Sequence, residues 1–276
     1  MEKQKTTIVE ANTLLEAKHS FNLVELKMLL MALAKIKRED KDFSFYRIYT
    51  SEFRDLAAIK SNNAYYKYLR QTARSLRRKE VEIETEQGHL ITGYFSDIEL
   101  YKNHGYMDFY ISPKMKPYLL DLVSKGNFTI YDIRNVINCK SVYSIRLYQL
   151  LKQCEKMGKR SITVKDLKFM LGLDSDQYPR WNNFRARILE VARKELKKYS
   201  DIYFEYETKR QGRLIEKITF TILKQRQKRL FDNEDFIRND APAVGYQKDA
   251  TEKVKQLEKA FEEGVSFTDF AKEKED

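Results

Sequence analysis

The stretch that decides the fold runs PRWNNFRARILEVARKELKKY (179–199), DIYFEYET (201–208), KRQGR (209–213) and LIEKITFTIL (214–223). Pro179 is a helix start signal. On a wheel of about 100° per residue, Phe184, Ile188, Val191, Ala192, Leu196 and Tyr199 share one face, with Trp181 beside them. Asn183, Ala186, Arg187, Glu190, Arg193, Lys194 and Lys197 share the opposite face. An amphipathic, cationic helix therefore runs into a strand, a basic turn and a returning strand.

Upstream, SVYSIRLYQLLKQCEKM (141–157) reads as a helix, and SITVKDLKFMLGL (161–173) as an extended piece leading into a short helix that ends at Gly172. The first half of the chain repeats this order. FNLVELKMLLMALAKIK (21–37) is a helix with apolar residues at a 3.6-residue period, FSFYRIYT (43–50) a strand, and SEFRDLAAI (51–59) a short helix with Thr50 or Ser51 as N-cap. SNNAYYKYLRQTARSLRRK (61–79) is a longer basic helix, VEIETEQGHLITGYFSDIEL (81–100) two strands around a Gly88 turn, and YMDFYIS (106–112) a third strand. TSEFRDLAAI matches TVKDLKFMLGL, with Leu56 over Met170, at an offset of about 115–120 residues. Helix, strand, helix, helix, strand, wing, strand is the order of a winged helix-turn-helix. The expected fold is α+β, with tandem winged helix-turn-helix domains. Residues 1–125 form the N-terminal domain, 126–230 the C-terminal domain with the main recognition surface, and 231–276 an acidic tail. Within that tail, 252–270 has the pattern of an amphipathic helix. PKMKPYLLDLVSKG (113–126) reads as a short helix closing the first domain. No Gly/Ser-rich linker separates the domains, so they are expected to pack together.

Charge agrees with this order. The 276 residues hold 52 Lys+Arg and 41 Asp+Glu, net +11. Residues 231–276 hold 7 Lys+Arg against 13 Asp+Glu, which leaves +17 on residues 1–230. A basic body suits a polyanionic partner. With 42% hydrophobic residues the chain has ample core material, and its 9 Gly and 4 Pro are few for a turn-rich β-sandwich. No apolar run approaches the ~18–20 residues that span a bilayer, and the N-terminus has no secretory pattern. The expectation is a cytoplasmic protein with no membrane partner and two free thiols, Cys139 and Cys154.

The second helix of a helix-turn-helix puts its first turns in the major groove and later residues beside phosphates. Asn pairs with adenine, Arg with guanine, and a small residue leaves room for a thymine methyl. Asn183 and Arg187 are therefore assigned to base edges with Ala186 between them. Arg180 and Asn182 fall near base or phosphate, and Arg193, Lys194 and Lys197 near phosphate or solvent. Lys209, Arg210 and Arg213 form a cationic wing tip. In the first unit Tyr65, Tyr66, Leu69, Ala73 and Leu76 form the buried stripe, while Asn63, Ala64, Lys67, Gln71, Arg74 and Arg78 face away. The alternative for each is an ordinary solvated helix face or basic turn. Trp181 is read as a core anchor. Two such helices on one side of a duplex, about 10–10.5 base pairs apart, predict a directional site of roughly 20 base pairs.

These pieces resemble the iteron-binding plasmid replication initiators, the Rep family with two winged-helix domains. The resemblance covers residues 6–225. It is carried by ANTLLEAKHSFNLVELKMLLMALAKI, SVYSIRLYQLLKQ, DLKFMLGL, WNNFRARILEVARKEL, IYFEYETKRQGR and LIEKITFTI. It implies binding of origin direct repeats as a monomer, opening of adjacent AT-rich DNA, and recruitment of the host replication initiator and replicative helicase. It also implies a homodimer, associated through the N-terminal domain, that represses its own promoter. The family's recognition helix maps onto Trp181–Lys198 and its wing onto Lys209–Arg213. The alternative is a dimeric winged-helix transcriptional regulator without a replication role.

Enzyme chemistries find no motif. His19, His89 and His104 give neither His-x-His nor His-x-x-Arg, which argues against a metal-dependent nickase and a tyrosine recombinase. MGKRS (157–161) lacks the earlier glycine and the Ser/Thr of a phosphate-binding loop. The cysteines and histidines lack zinc spacing, and Asp174 with Asp176 suits a turn better than a metal. No enzyme, no cofactor and no metal are expected.

Overall fold

The structure is a computed structural model that describes residues 6–37, 39–53, 62–101, 104–122, 127–174 and 176–225; of residues 62–64 it describes the backbone only. The 54–59 part of the expected short helix, including Leu56, and the tail at 231–276 lie outside the described residues. The described residues all fall within one compact unit.

The first half opens with β1 (Thr7–Ala11), α1 (Asn12–Glu16) and α2 (Leu23–Leu33). Helix α2 starts in a capping box: the Asn22 side chain accepts from the Glu25 N–H at 2.9 Å, and the Asn22 N–H donates to Glu25 Oε2 at 2.8 Å. Its Leu, Met and Ala residues are buried all round, from Leu26 to Leu33. The buried Glu25 carboxylate also accepts from Ser75 Oγ at 2.6 Å and pairs with Lys79 at 3.6 Å, tying α2 to α3 (Asn62–Arg77). The strands are β2 (Phe45–Tyr49), β3 (Glu80–Thr85), β4 (Gly88–Gly93), β5 (Phe95–Leu100) and β6 (Tyr106–Ile111).

Residues 81–100 thus make three strands, not two. The chain breaks at Gly93, where a Cβ would sit 3.3 Å from the Lys79 carbonyl oxygen. Strands β3 and β4 pair as a separate hairpin, while β2, β6 and β5 form an antiparallel sheet in that order. The α4 segment (Lys116–Leu119) follows a 3-10 turn at Pro113–Met115.

The second half contains β7 (Phe128–Asp132), α5 (Val142–Lys152), β8 (Lys159–Thr163) and α6 (Val164–Met170). Helix α7 has three parts: an α-helical start (Trp181–Phe184), one π turn (Arg185–Leu189) and an α-helical remainder (Glu190–Tyr199). Strands β9 (Ile202–Gln211) and β10 (Leu214–Lys224) complete a sheet of order β8-β10-β9. This is a winged helix-turn-helix in which the returning wing strand pairs with the strand after the first helix. In the first half the strand pairing with β2 is β6, so an extra hairpin stands between the basic helix and that partner. Among the described residues the duplicated order holds up to β3 and diverges there.

The two halves are packed through residues 7–20. Strand β1 pairs antiparallel with β7, Val9 opposite Ile130. Arg146, on α5 and 3% exposed, donates to the carbonyls of Leu15 at 2.6 Å and Met170 at 3.1 Å, and to Gln149 Oε1 at 2.9 Å. Gln149 donates to Tyr131 Oη at 2.7 Å, and Tyr131 donates to Glu10. Burial pushes the Glu10 carboxyl up, against the Tyr131 hydrogen bond and the Arg146 charge. Arg160 reaches Glu16 at 2.7 Å, and Lys18 reaches Asp174 at 2.8 Å. Cys139 and Cys154 are free thiols, and no described helix is long and apolar enough to cross a membrane.

Gly172 closes α6 at φ +74°, and a Cβ there would lie 1.7 Å from the His19 carbonyl oxygen. Both the left-handed backbone and the contact exclude a side chain. Gly172→Ala is expected to lower unfolding free energy by about 2–4 kcal/mol in urea denaturation; an unchanged midpoint would mean that the close approach of His19 to Gly172 does not constrain the fold.

His19 is buried, with its Nε2–H donating to the Leu14 carbonyl at 2.7 Å and Tyr94 Oη 3.4 Å from Nδ1. Burial, and next the Arg146 charge, hold its pKa well below 6.5. Below that pH the unfolded chain takes up a proton the fold refuses. This site therefore removes up to ~1.4 kcal/mol of stability per pH unit as the pH falls. Glu10, its carboxyl shifted upward, acts in the opposite sense. Unfolding curves of the parent and of His19→Gln across pH 5–7 isolate the histidine: the parent is expected to lose more stability on acidification.

Candidate nucleic-acid interface

The turn before α7 is set by backbone geometry and one lysine. Lys168 Nζ donates to the carbonyls of Gln177 and Tyr178, each at 2.9 Å, and Tyr178 takes φ 52°. Helix α7 then begins at Trp181, two residues after Pro179. Phe184, Ile188, Leu189, Ala192 and Leu196 are each 0% exposed and form its inner stripe. Trp181 is half-buried, its ring 5.8 Å from Phe184. Val191 and Tyr199, expected in the stripe, lie half-buried at its margins, and Leu189 belongs to it although the uniform wheel left it out.

The outer face carries Asn182, Asn183, Arg185, Ala186, Arg187, Lys194 and Lys197, all exposed, with exposed Arg180 just before the helix. Arg193 differs. Its guanidinium reaches Glu205 on β9 at 2.7 Å and Glu190 at 3.0 Å, and Tyr206 Oη donates to Glu190 Oε1 at 2.7 Å. The hydrogen bond that Arg193 donates to the Glu205 carboxylate holds the Arg193 pKa up. The charge expected beside phosphate is thus neutralised within the fold. Lys197 lies 5.5 Å from the centre of the Tyr203 ring. Gln225 donates to the carbonyls of Leu196 at 3.0 Å and Ser200 at 2.6 Å, closing the C-terminus of α7.

The wing is longer and its turn tighter than expected. Strand β9 continues to Gln211, so Lys209 and Arg210 are strand residues, and only Gly212 and Arg213 make the turn. Gly212 takes φ +60°, as the first position of a II′-type hairpin turn requires. Lys209, Arg210 and Arg213 are all exposed. Lys209 stands directly opposite Lys217, an exposed cation that linear spacing did not bring to the wing.

On α3, Lys67, Gln71, Arg74 and Arg78 are exposed, Arg78 lying one residue past the helix end. The side chain of Asn63 lies outside the described residues. Tyr65, Leu69, Ala73 and Leu76 are buried, but Tyr66 is 37% exposed and does not join the stripe. The β3–β4 hairpin that follows carries exposed Glu80, Glu82, Glu86 and His89, the last 3.3 Å from Glu82. Beside α3 there is thus no cationic counterpart of the second wing. Among the described residues no three His, Cys, Asp or Glu side chains are grouped to hold a metal.

Two family models match this arrangement. The first winged-helix model of initiator replication proteins covers residues 7–152, and the second covers 163–222. The chain belongs to the family of initiator replication proteins. Among solved structures, this initiator is similar to Pi initiator protein in a crystal structure with iteron DNA, at TM-score 0.65 and 23% identity, over 81% of this chain and 99% of that one. It also matches domains 2 and 3 of RctB, at TM-score 0.45 and 10% identity over 74% and 82%. A third match is the first winged-helix domain of MSBI1.176, a replication protein isolated from a multiple sclerosis patient, at TM-score 0.27 and 16% identity over 35% and 78%. The likeness to Pi extends the shared fold across both winged helices.

Proposed function

We propose that this initiator binds direct repeats in a plasmid origin as a sequence-specific double-stranded DNA binder, without bond chemistry of its own. The observation that carries the proposal is the outer face of α7. Its first two turns expose amides, arginines and one alanine, with lysines further along and a cationic wing beside them. Asn183 and Arg187 read base edges, with Ala186 leaving room between them, and Arg180 and Asn182 lie at base or phosphate. Lys194, Lys197 and the wing cations Lys209, Arg210 and Arg213 meet phosphate. On α3, Lys67, Gln71, Arg74 and Arg78 form the second, weaker contact. Binding draws on phosphate neutralisation plus base readout, and origin opening on bending and cooperative occupation of several repeats. Membership in a replication initiator family and the Pi complex with iteron DNA support this over a regulator without a replication role.

The same proposal places the protein in the cytoplasm, in a monomer–homodimer equilibrium, with the host initiator and replicative helicase as partners. An outer sheet face with Phe45 49% and Tyr49 46% exposed favours dimerisation through the first winged helix.

Footprinting on the plasmid DNA adjoining the gene is expected to protect tandem direct repeats of ~20 base pairs beside an AT-rich stretch. A lone inverted repeat in the promoter would overturn the replication role.

Two substitutions divide the face. Arg187→Ala is expected to cost about 1–3 kcal/mol on the true repeat and to relax preference at one position. Lys194→Ala is expected to weaken all duplexes alike and to lower the salt slope by about one. Titrations at several salt concentrations on matched and scrambled repeats check both.

A further inference from the structure

The π turn in α7 has a consequence for which side chains face outward. From Leu189 onward the inner positions are 189, 192 and 196, spaced three and four apart as an α-helix requires. Carried back one α-helical turn, that series puts residue 185 inward. Instead Phe184 is the fully buried residue, and Arg185 is exposed. The π turn absorbs the one-residue slip, its Glu190 N–H bonding the Arg185 carbonyl five residues back. Ile188 and Leu189, adjacent and both 0% exposed, mark where the two apolar series meet.

Without the slip residue 185, four positions before Leu189, would turn toward the apolar stripe. With it, Arg185, Ala186 and Arg187 form three consecutive exposed residues in the first two turns. Arg185 lies on the flank that faces β9, close enough to Tyr206 for its charge to act on the phenol. Arg193 on the same flank is held by Glu190 and Glu205. Arg185 has no hydrogen-bond or ion-pair partner among the described residues, so it is the free guanidinium on that flank.

We propose that Arg185 is a further specificity-determining residue, reading a base edge on the wing side of the major groove, and that the π turn is the device that presents it. The inference rests on the reading of α7 as the DNA-reading helix. A guanidinium reads guanine through two parallel N–H donors, which an ammonium lacks.

The test uses the full chain and a library of randomised duplexes about two helical turns long. Selection is run with the parent, Arg185→Lys, Arg187→Lys and a variant lacking Ala186. Both lysine variants keep the charge. Arg185→Lys is expected to lose preference at one position, distinct from the one lost in Arg187→Lys, and to bind the parent's selected duplex about 10–100-fold more weakly. Deleting Ala186 leaves Phe184 four residues before Leu189's new position. The apolar series then fits an unbroken α-helix, so this variant is expected to melt cooperatively while losing the parent's preference. If Arg187→Lys changes the selected sequence and Arg185→Lys does not, Arg185 is a phosphate or solvent residue and the inference fails alone. If the Ala186 deletion selects the parent sequence with parental affinity, the π turn has no reading role. If neither lysine variant alters selection, α7 is not the reading helix and the proposed function falls with the inference.

Discussion

The Arg146 guanidinium holds three separate pieces of chain in one place. Its donors reach the carbonyl of Leu15 in the N-terminal segment, the carbonyl of Met170 at the end of α6, and Gln149 on its own helix. A buried charge is expensive unless it is paired and hydrogen-bonded. Here the compensating carboxylate, Glu10, is reached through two neutral relays, Gln149 and Tyr131. Such an arrangement adds little to net stability over a well-packed apolar core. What it adds is register, because an apolar side chain has no means of fixing carbonyls from two different segments at once.

That register bears on function because residues 7–20 touch both winged helices. Strand β1 pairs with β7, Glu16 takes the Arg160 guanidinium, and the His19 backbone fills the space a Gly172 side chain would need. Under the proposed function, two DNA-reading helices joined by a loose linker would each pay separately for orientation on a duplex. Joined through a packed strap, the second engages as an intramolecular event at high effective concentration.

Much of this was legible in the sequence. Periodicity identified the helices. The duplicated order pointed to two winged helices. Three things were hidden, each for a physical reason. TIVEA has no local partner, since β7 lies some 120 residues away. The break at Gly93 interrupts an alternation that reads as continuous, because what enforces it is the Lys79 backbone across the hairpin. The π turn escaped a uniform wheel of about 100° per residue, although the doublet Ile188-Leu189 linking two offset apolar series was a visible mark of the slip. The neutralisation of Arg193 depends on Glu205 of another element, which no property of the helix itself reveals.

The charge distribution then separates cations paired within the fold from unpaired ones. Arg193, Arg160 and Lys152 are satisfied by carboxylates inside the fold. Lys209 and Lys217 are not: they stand directly opposite one another on β9 and β10. Like charges in that relation destabilise a hairpin, by a few tenths to about 1 kcal/mol. Nothing among the described residues offsets them, and Gly212 adds a further entropic cost at the turn. Helix stability does not call for unpaired arginines on both sides of Ala186 either. A wing that lowers the stability of its own hairpin is relieved by a counter-charge from outside. Under the proposed function, the phosphates of the origin duplex are that counter-charge.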